Sequence, residues 1–205
     1  MPDSPPDSLN ADSPAPPPLK ATTPSTWTDT VLADFDTFLQ DHAAAEKKAS
    51  GMALSMIAHY PDRLALVEAL ADLAVEELSH YREVIRWMLQ RNVPLAADSK
   101  DDYVLAMRAQ VRRGPEFYLL DRLLSCGIIE ARGCERFGLV ADALEPGPLK
   151  NFYNAITRSE SRHYALFLQL AALYYPADVV TTRTDELLDA EAEIVTGLDI
   201  SAALH

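Results

Sequence analysis

Two Glu-x-x-His units, one in each half of the chain, constrain the fold of this sequence more than any other feature. The first runs from Glu77 to His80 and the second from Glu160 to His163. Because positions i and i+3 are neighbours on a helix surface, each unit presents a carboxylate and an imidazole on one helical face. Those two groups can bind the same metal ion, although a single unit of this kind is weak evidence for a site.

A further glutamate precedes each unit at almost the same interval. Glu46 lies 31 residues before Glu77, and Glu130 lies 30 residues before Glu160. Two helices joined by a tight turn bring the chain back to the same height after about 15 residues in each direction, or about 22 Å of helix. The internal repeat therefore predicts that four carboxylates and two imidazoles meet in one layer of a helical bundle.

The negative charge of the four carboxylates in this layer must be compensated. Four buried carboxylates without compensation repel one another and stay partly protonated, whereas two divalent cations cancel their four charges. We therefore predict a two-metal site whose ligands are Glu46, Glu77, His80, Glu130, Glu160 and His163.

The alternative is that these six residues are separate solvated charges on amphipathic helices. A solvated face is polar along its length, so the residues at i±3, i±4 and i±7 would also be polar. Instead the neighbours are mostly small or apolar, among them Leu39, Ala43, Leu73, Ala74, Leu123, Gly127, Ile156 and Phe167. Acids among apolar neighbours are costly unless they are paired or bound to metal, so the pattern favours the metal site.

Glu135 competes with Glu130 for the ligand role on the third long helix. It lies five residues further on, about 140° around the helix, and its interval to Glu160 is 25 residues. The shorter interval breaks the repeat, so we predict that Glu130 is the ligand.

The donor set narrows the choice of metal. An oxygen-rich site with one imidazole per metal ion suits iron or manganese better than a closed structural zinc site. No cysteine belongs to the predicted set, which excludes iron–sulfur chemistry. A pair of iron(II) ions that activates O2 is the leading interpretation of these residues.

Other residues near the repeat have no assigned role. Glu76 either reaches an imidazole on the other helix pair or is a solvated helix charge. Cys126 and Cys134 are interpreted as packing residues, since buried cysteine mostly behaves as a small hydrophobe. His42 and His59 belong to no partner motif and are left unassigned.

Hydrophobic periodicity predicts the fold class. From Trp27 onwards, apolar residues recur at spacings of three and four without the alternation of strands, which indicates an all-α domain. Prolines and glycines divide it into helices over 28–59, 62–91, 115–144, 149–174 and 176–197. A connection over 92–114, with a short helix at 101–112, joins two antiparallel pairs. We predict a ferritin-like four-helix bundle with one long crossover and an additional C-terminal helix.

The first residues have a different composition. Eight of the 14 prolines lie within residues 1–24, mixed with Ser, Asp and Ala. Such a segment cannot bury enough apolar surface to offset the entropy of ordering it. We predict a disordered proline-rich tail over 1–25 and one ferritin-like di-iron domain over 26–205.

The acidic composition limits the kinds of partner. The net charge of −13 excludes a sequence-wide basic field of the kind that binds nucleic acid non-specifically. However, residues 1–29 carry −3 and residues 173–205 carry −6, which leaves −4 for residues 30–172 and matches the four predicted carboxylate ligands. Arginines can therefore form a local phosphate-contacting rim or lie singly on solvated faces. The candidates are Arg82, Arg86, Arg91, Arg108, Arg112, Arg113, Arg132, Arg136, Arg158 and Arg162.

Several features bear on the compartment. No apolar run approaches the ~20 residues of a membrane-spanning helix, and the N-terminus has neither a basic n-region nor an apolar h-region. Two cysteines are too few for a disulfide scaffold. We expect a cytoplasmic protein with no membrane contact, and a monomer because no exposed heptad seam is evident.

Four segments, at residues 42–49, 76–81, 129–137 and 159–164, carry a resemblance to a known family. The sequence resembles the tRNA 2-methylthio-isopentenyladenosine hydroxylases of the MiaE type, from about Trp27 to Leu198. Glu-x-x-His pairs are shared by all ferritin-like di-iron proteins. The run Glu-Ala-Arg-Gly-Cys-Glu-Arg-Phe is the segment that points to this family in particular.

The resemblance implies an O2-dependent non-haem di-iron monooxygenase that hydroxylates the isopentenyl group of 2-methylthio-isopentenyladenosine in tRNA. It implies two iron ions on the six predicted ligands, O2 as co-substrate, and electrons from an external, unidentified electron-transfer partner. The substrate follows from the resemblance and not from the spacing of the ligands. The modified base lies beside the anticodon and must be splayed out of its stack to enter such a site.

Two other classes of function stay open at this point. One is another ferritin-like di-metal protein, namely a ferroxidase, a peroxide reductase or a di-manganese catalase. The other is a helical interaction domain without metal. Metal content separates this last class from all the others.

Overall fold

The structure is a computed structural model that describes residues 19–205. This part of the chain contains seven helices and no strand, which confirms the predicted all-α class. The helices are α1 (Ser25–Ala33), α2 (Phe35–His59), α3 (Leu64–Gln90), α4 (Asp102–Ala109), α5 (Tyr118–Ala143), α6 (Pro148–Tyr174) and α7 (Ala177–Gly197).

Four long helices form the predicted bundle. Helices α2 and α3 pack together as one pair, α5 and α6 pack as the other, and α3 contacts α6 between the pairs. Residues 91–117 cross from the first pair to the second and contain α4. Helix α7 packs on α5, α4 and α6, so it covers one side of the bundle.

Proline and aspartate side chains explain several helix ends. Pro148 stands in the first turn of α6, where its missing N–H is not needed. The Asp34 side chain accepts a hydrogen bond from the Thr37 amide at 3.3 Å and caps α2. The sequence predicted one continuous helix over 28–59. The structure instead divides this region into α1 and α2 at Asp34, because the cap starts a new helix there.

The apolar core of the bundle consists of two clusters. One cluster lies towards the α2–α3 turn and includes Met56, Leu70, Leu123 and Phe167. The other lies towards the opposite end and includes Phe38, Val84, Val140 and Tyr153. On all four long helices, the predicted ligands fall between the residues of the two clusters. A polar layer is therefore enclosed by apolar packing at both ends.

Residues 19–25 differ from the predicted disordered tail. The amide and hydroxyl of Thr23 donate to the Glu135 carboxylate at 2.9 and 2.7 Å. The Ala21 carbonyl accepts from Arg132, and the Lys20 ammonium lies 2.6 Å from Asp189. These contacts order the segment on α5 and α7. The prediction for residues 1–18 lies outside the described part of the chain.

Two arginines of α5 are buried and do not belong to a basic surface. Arg132 donates to both oxygens of Glu191 on α7, at 2.8 and 3.0 Å. Arg136 donates to the Leu204 carbonyl at 2.6 Å and lies over the Trp27 ring. Both were candidates for a phosphate-contacting rim. The structure corrects that assignment, because each guanidinium ties peripheral segments to the bundle.

None of the helices within residues 19–205 combines the length and the apolar character that a membrane span needs.

A second buried ion cluster joins the crossover to α7. Asp121 is buried in the first turn of α5 and accepts hydrogen bonds from Arg112 at 2.8 Å and from Arg183 at 2.9 Å. Burial raises the pKa of Asp121, but the hydrogen bonds from the two arginines outweigh it and hold the pKa below its usual value. The carboxylate therefore stabilises the folded state in its ionised form.

We expect Asp121→Asn to destabilise the metal-free protein at neutral pH by about 2 kcal/mol. This free energy is smaller than for a fully buried ion pair, because Arg112 is partly exposed and solvent screens its charge. A lowered folded pKa gives stability that is present above the unfolded pKa of about 3.9 and is lost as the pH falls through the folded value. Urea unfolding should therefore show the deficit of the variant shrinking in acid. A deficit that does not change with pH, or an equal one in the exposed Asp72→Asn control, would contradict this account.

Candidate metal centre

The six residues predicted as ligands come together in the polar layer between the two apolar clusters. All four carboxylates and His163 are buried, and His80 is nearly so. Their ligand atoms form two groups, each with atoms within 4.8 Å of one another. One group contains Glu46, Glu77, His80 and Glu160, and the other contains Glu77, Glu130, Glu160 and His163. The groups share Glu77 and Glu160, which is the arrangement that two adjacent metal ions with two common carboxylates require.

Both imidazoles point one ring nitrogen at the carboxylates. His163 Nδ1 lies 3.0 Å from Glu77 Oε1 and 3.7 Å from Glu160 Oε2. His80 Nδ1 lies 3.3 Å from Glu77 Oε2 and 3.5 Å from Glu46 Oε2. Each helix therefore delivers an oxygen and a nitrogen to one point, as the i, i+3 spacing predicts.

Unsatisfied polar atoms test whether these residues fit metal ions. Within residues 19–205, Glu77 Oε1 and both ring nitrogens of His163 are buried and have no hydrogen bond of acceptable geometry. Buried polar atoms without partners are costly and rare in folded proteins. A metal ion among the carboxylates would satisfy Glu77 Oε1 and His163 Nδ1, which faces them, so the donor set fits a di-metal centre.

The electrostatics of the metal-free layer point the same way. Burial raises the pKa values of Glu46 and Glu130 well above the usual range, and the nearby carboxylates add to the effect. Burial lowers the pKa of His80, but contacts with Glu46 and Glu77 outweigh it and raise the value to about 10. Protons thus balance the negative charge when no metal is bound. Metal ions that bind here must displace those protons.

His42 is a functional candidate that no motif in the sequence marks. It is buried, its Nε2 lies 2.6 Å from Glu46 Oε1, and its Nδ1 lies 3.3 Å from the Tyr153 hydroxyl. Burial, and then the charge of His80, lowers its pKa to about 3, so the imidazole is neutral. His42 therefore orients Glu46. Its position four residues before Glu46, in the same stripe, was the available sequence signal.

Glu76 contacts the imidazoles from the outer side of the layer. Its Oε2 lies 3.3 Å from His163 Nε2, and its Oε1 lies 3.9 Å from His80 Nε2. Ser159 and Arg162 also donate hydrogen bonds to it. The contact with His163 is the main cause that lowers the pKa of Glu76 to about 2. Of the two interpretations of Glu76, the structure favours the one in which it orients the imidazoles.

Glu130 and Glu135 have different surroundings. Glu130 is buried in the layer beside Glu160, whereas Glu135 faces outward and binds Thr23 and Arg132. The two cysteines are free and their pKa values are raised to about 11 by burial. Their placement agrees with a packing role.

A cavity of about 130 Å³ lies beside the carboxylates. The four glutamates line it, Lys48, Asp101 and His205 contribute further polar side chains, and the rest of the lining is largely apolar. Helices α2 and α5 provide most of the lining residues, while α4 and residues 204–205 provide others. The apolar lining includes Ala49, Met52, Val104, Ile129, Phe137 and Leu204.

A larger groove of about 690 Å³ adjoins this cavity. The two share wall residues on α2, α4 and α5, including Met52, Val104 and Ile129. Several cationic side chains line the groove, namely Lys48, Lys100, Arg108, Arg113 and Arg122. A basic surface therefore borders the apolar cavity despite the acidic total.

The groove revises the list of candidate arginines. Arg108 and Arg113 line it, as a rim requires. Arg91, Arg112 and Arg162 instead pair with acidic side chains elsewhere. Lys48, Lys100 and Arg122 were not among the candidates, because their common location depends on how α4 folds against α2 and α5.

Comparison with known proteins gives one family. Residues 13–205 match the family described as tRNA-(MS[2]IO[6]A)-hydroxylase (MiaE). A tRNA 2-(methylsulfanyl)-N(6)-isopentenyladenosine(37) hydroxylase from Pseudomonas putida is 37% identical over 187 residues, 91% of each chain. The protein of the same name from Salmonella typhimurium is 33% identical over 140 residues, which is 68% of this chain and 51% of that protein.

A solved structure shares the fold. It is titled "Protein 43 with aldehyde deformylating oxygenase activity from Synechococcus" and is 32% identical in sequence. The superposition has a TM-score of 0.85 and covers 91% of this chain and 94% of the other.

We expect Glu130→Ala to reduce metal uptake from about two iron(II) ions per chain to one or none, since it removes a carboxylate from one ligand group. Glu135→Ala should retain full uptake and lose thermal stability, because it frees Thr23 and Arg132. Anaerobic reconstitution followed by metal analysis measures both. Normal uptake by Glu130→Ala with loss in Glu135→Ala would show that the wrong glutamate was assigned.

Proposed function

Since the chain belongs to the tRNA-(MS[2]IO[6]A)-hydroxylase (MiaE) family, we propose that it hydroxylates the isopentenyl group of 2-methylthio-isopentenyladenosine in tRNA. The reaction uses two iron ions, O2 and electrons from an external donor. The observation that supports the proposal is that three features of the structure adjoin one another. A buried two-group ligand layer borders an apolar cavity, and that cavity borders a basic groove.

Two overlapping groups of donors in the ligand layer support the assignment of two iron ions. Glu46 and His80 would hold one ion and Glu130 and His163 the other, with Glu77 and Glu160 available to both. Iron bound there supplies the activation of O2 that attack on an unactivated carbon requires. His42 and Glu76 fix the orientation of Glu46 and of the two imidazoles. The protein thus contributes a rigid set of donors.

The cavity suits the isopentenyl group. An apolar cavity of about 150 Å³ holds a benzene molecule, so one of about 130 Å³ has room for a branched chain of five carbons. Apolar walls exclude water from the carbon that reacts and hold it next to the ligand layer. The fit favours a small hydrocarbon group over a whole nucleoside inside the cavity.

The groove suits the rest of the nucleic acid. A base whose substituent reacts must leave the stack, and its flanking phosphates then need cationic contacts. Lys48, Lys100, Arg108, Arg113 and Arg122 provide these next to the cavity mouth. The acidic residues elsewhere do not oppose this, since four of them are assigned to metal and nine net negative charges lie in the chain ends.

We place the reaction in the cytoplasm, in a monomer served by a separate electron-transfer protein. The two free cysteines in the described residues fit a reducing compartment.

The structural relative whose title names aldehyde deformylating oxygenase activity suggests a second reaction for the same fold. An aldehyde has no use for a row of cations beside the cavity, so the groove favours tRNA. An aldehyde is therefore the alternative substrate against which tRNA is to be compared.

The reduced, iron-loaded protein should add one oxygen atom to the isopentenyl-adenosine of tRNA taken from cells that lack the hydroxylation. Nucleoside mass spectrometry after incubation with O2 measures the gain, and a parallel incubation contains a fatty aldehyde in place of tRNA. The Glu130→Ala variant serves as the metal-deficient control. Absence of the gain, or conversion of the aldehyde instead, would refute the proposed substrate.

Removal of groove cations should weaken tRNA binding without affecting the chemical step. For the pair Arg108→Gln and Arg122→Gln together, we expect KM to rise on the order of tenfold, with kcat retained. The slope of log affinity against log salt should fall by about 0.7 for each phosphate that the variant no longer neutralises. Arg82→Gln with Arg158→Gln is a control of equal charge on exposed α3 and α6 positions. Equal effects of the two pairs would show that overall charge, and not the groove, sets affinity.

A further inference from the structure

His205 lines the cavity beside the carboxylates but takes no part in the ligand layer. Its side chain is 5% exposed, and its Nδ1 lies 3.0 Å from Asp101 Oδ2. The other ring nitrogen, Nε2, is buried and has no hydrogen-bond partner among residues 19–205. A buried polar atom without a partner, in the wall of a substrate cavity, is a candidate contact for a ligand.

The ring of His205 is held in a fixed orientation. It stacks on the buried Tyr103 ring, with centroids 4.7 Å apart and planes 14° from parallel. The preceding residue, Leu204, is fixed at both backbone groups. Its amide donates to Asp41 at 2.7 Å, and its carbonyl accepts from Arg136 at 2.6 Å. The position of Nε2 is therefore set before any substrate binds.

Asp101 determines which ring nitrogen carries the proton. Its carboxylate also accepts the Val104 amide at 2.9 Å and so caps α4. An acceptor beside Nδ1 keeps the proton on that nitrogen, because an ionised carboxylate cannot donate one. In the neutral imidazole, Nε2 then has a free lone pair. His205, a residue of the cavity wall, consequently carries an unpaired hydrogen-bond acceptor.

The substrate of the proposed function has a donor at the matching place. Its N6–H lies between the purine ring and the isopentenyl group. The isopentenyl group occupies the cavity and the nucleotide occupies the groove, so N6 lies where the two meet. Asp101 lines both the cavity and the groove, and its partner His205 lines the cavity.

We propose that His205 Nε2 accepts a hydrogen bond from the N6–H of the substrate base, with Asp101 as the positioning residue that fixes the tautomer. The proposal rests on the proposed function and adds a specificity determinant to it. A base that carries its isopentenyl group without an adjacent N–H leaves Nε2 unpaired. Sites built around such a hydrogen bond reject analogues that lack the donor.

Two anticodon stem–loops provide the test. One carries the isopentenyl group through N6–H, and the other carries it through an ether oxygen at the same carbon. The wild-type protein should prefer the N–H substrate on the order of 10- to 100-fold in kcat/KM. His205→Phe retains a ring to stack on Tyr103 and removes the acceptor. It should lose that factor on the N–H substrate, change little on the ether, and so abolish the preference.

Two further variants separate the hydrogen bond from packing. His205→Gln keeps an amide acceptor and should restore part of the preference. Asp101→Asn can still cap α4 but releases the tautomer, so it should reduce the preference without loss of iron content. An unchanged preference in folded, iron-loaded His205→Phe would overturn the proposal. Failure of the wild-type protein on both stem–loops would instead overturn the proposed function, so the two failures are distinguishable.

Discussion

Compensation of four buried carboxylates is the constraint on which the rest of this structure depends. Isolated carboxylates in a bundle core would cost several kcal/mol each. Here they lie in one layer with two imidazoles between two apolar clusters. The apolar packing on both sides makes the layer dry, and the dry layer makes cations necessary. His42 and Glu76 extend the same arrangement outward, since His42 contacts the Glu46 carboxylate and Glu76 contacts the His163 imidazole.

The ligand layer and the bundle could be predicted because both follow from helix geometry. Glu77 and His80 are neighbours on any helix, and the interval from Glu46 equals one length up and one length down. The same periodicity and the positions of proline predicted every long helix to within a few residues, apart from the break at Asp34. Such features depend on contacts that are local in sequence or repeated, which is why spacing alone reveals them.

The remaining features depend on contacts between distant parts of the chain. Thr23 is ordered by Glu135, more than a hundred residues away, so composition alone predicted disorder there. Arg132 resembles a surface residue until Glu191 on α7 is placed against it. The cationic side chains of the groove become neighbours only because the crossover places α4 against α2 and α5. His42 combines a local contact with a tertiary one. Its partner Glu46 lies only four residues away, but its role depends on which face of α2 lies towards the predicted metal ligands.

Metal binding and enclosure of the substrate depend on different parts of the chain. The predicted ligands lie on the four long helices, whereas part of the cavity lining comes from the crossover helix α4 and from residues 204–205. Mutations in that wall can therefore alter what enters the cavity without disturbing the ligand geometry. In this fold, the residues that select the substrate can therefore change independently of those that hold the metal ions. The wall can diversify in evolution while the reactive centre stays constant.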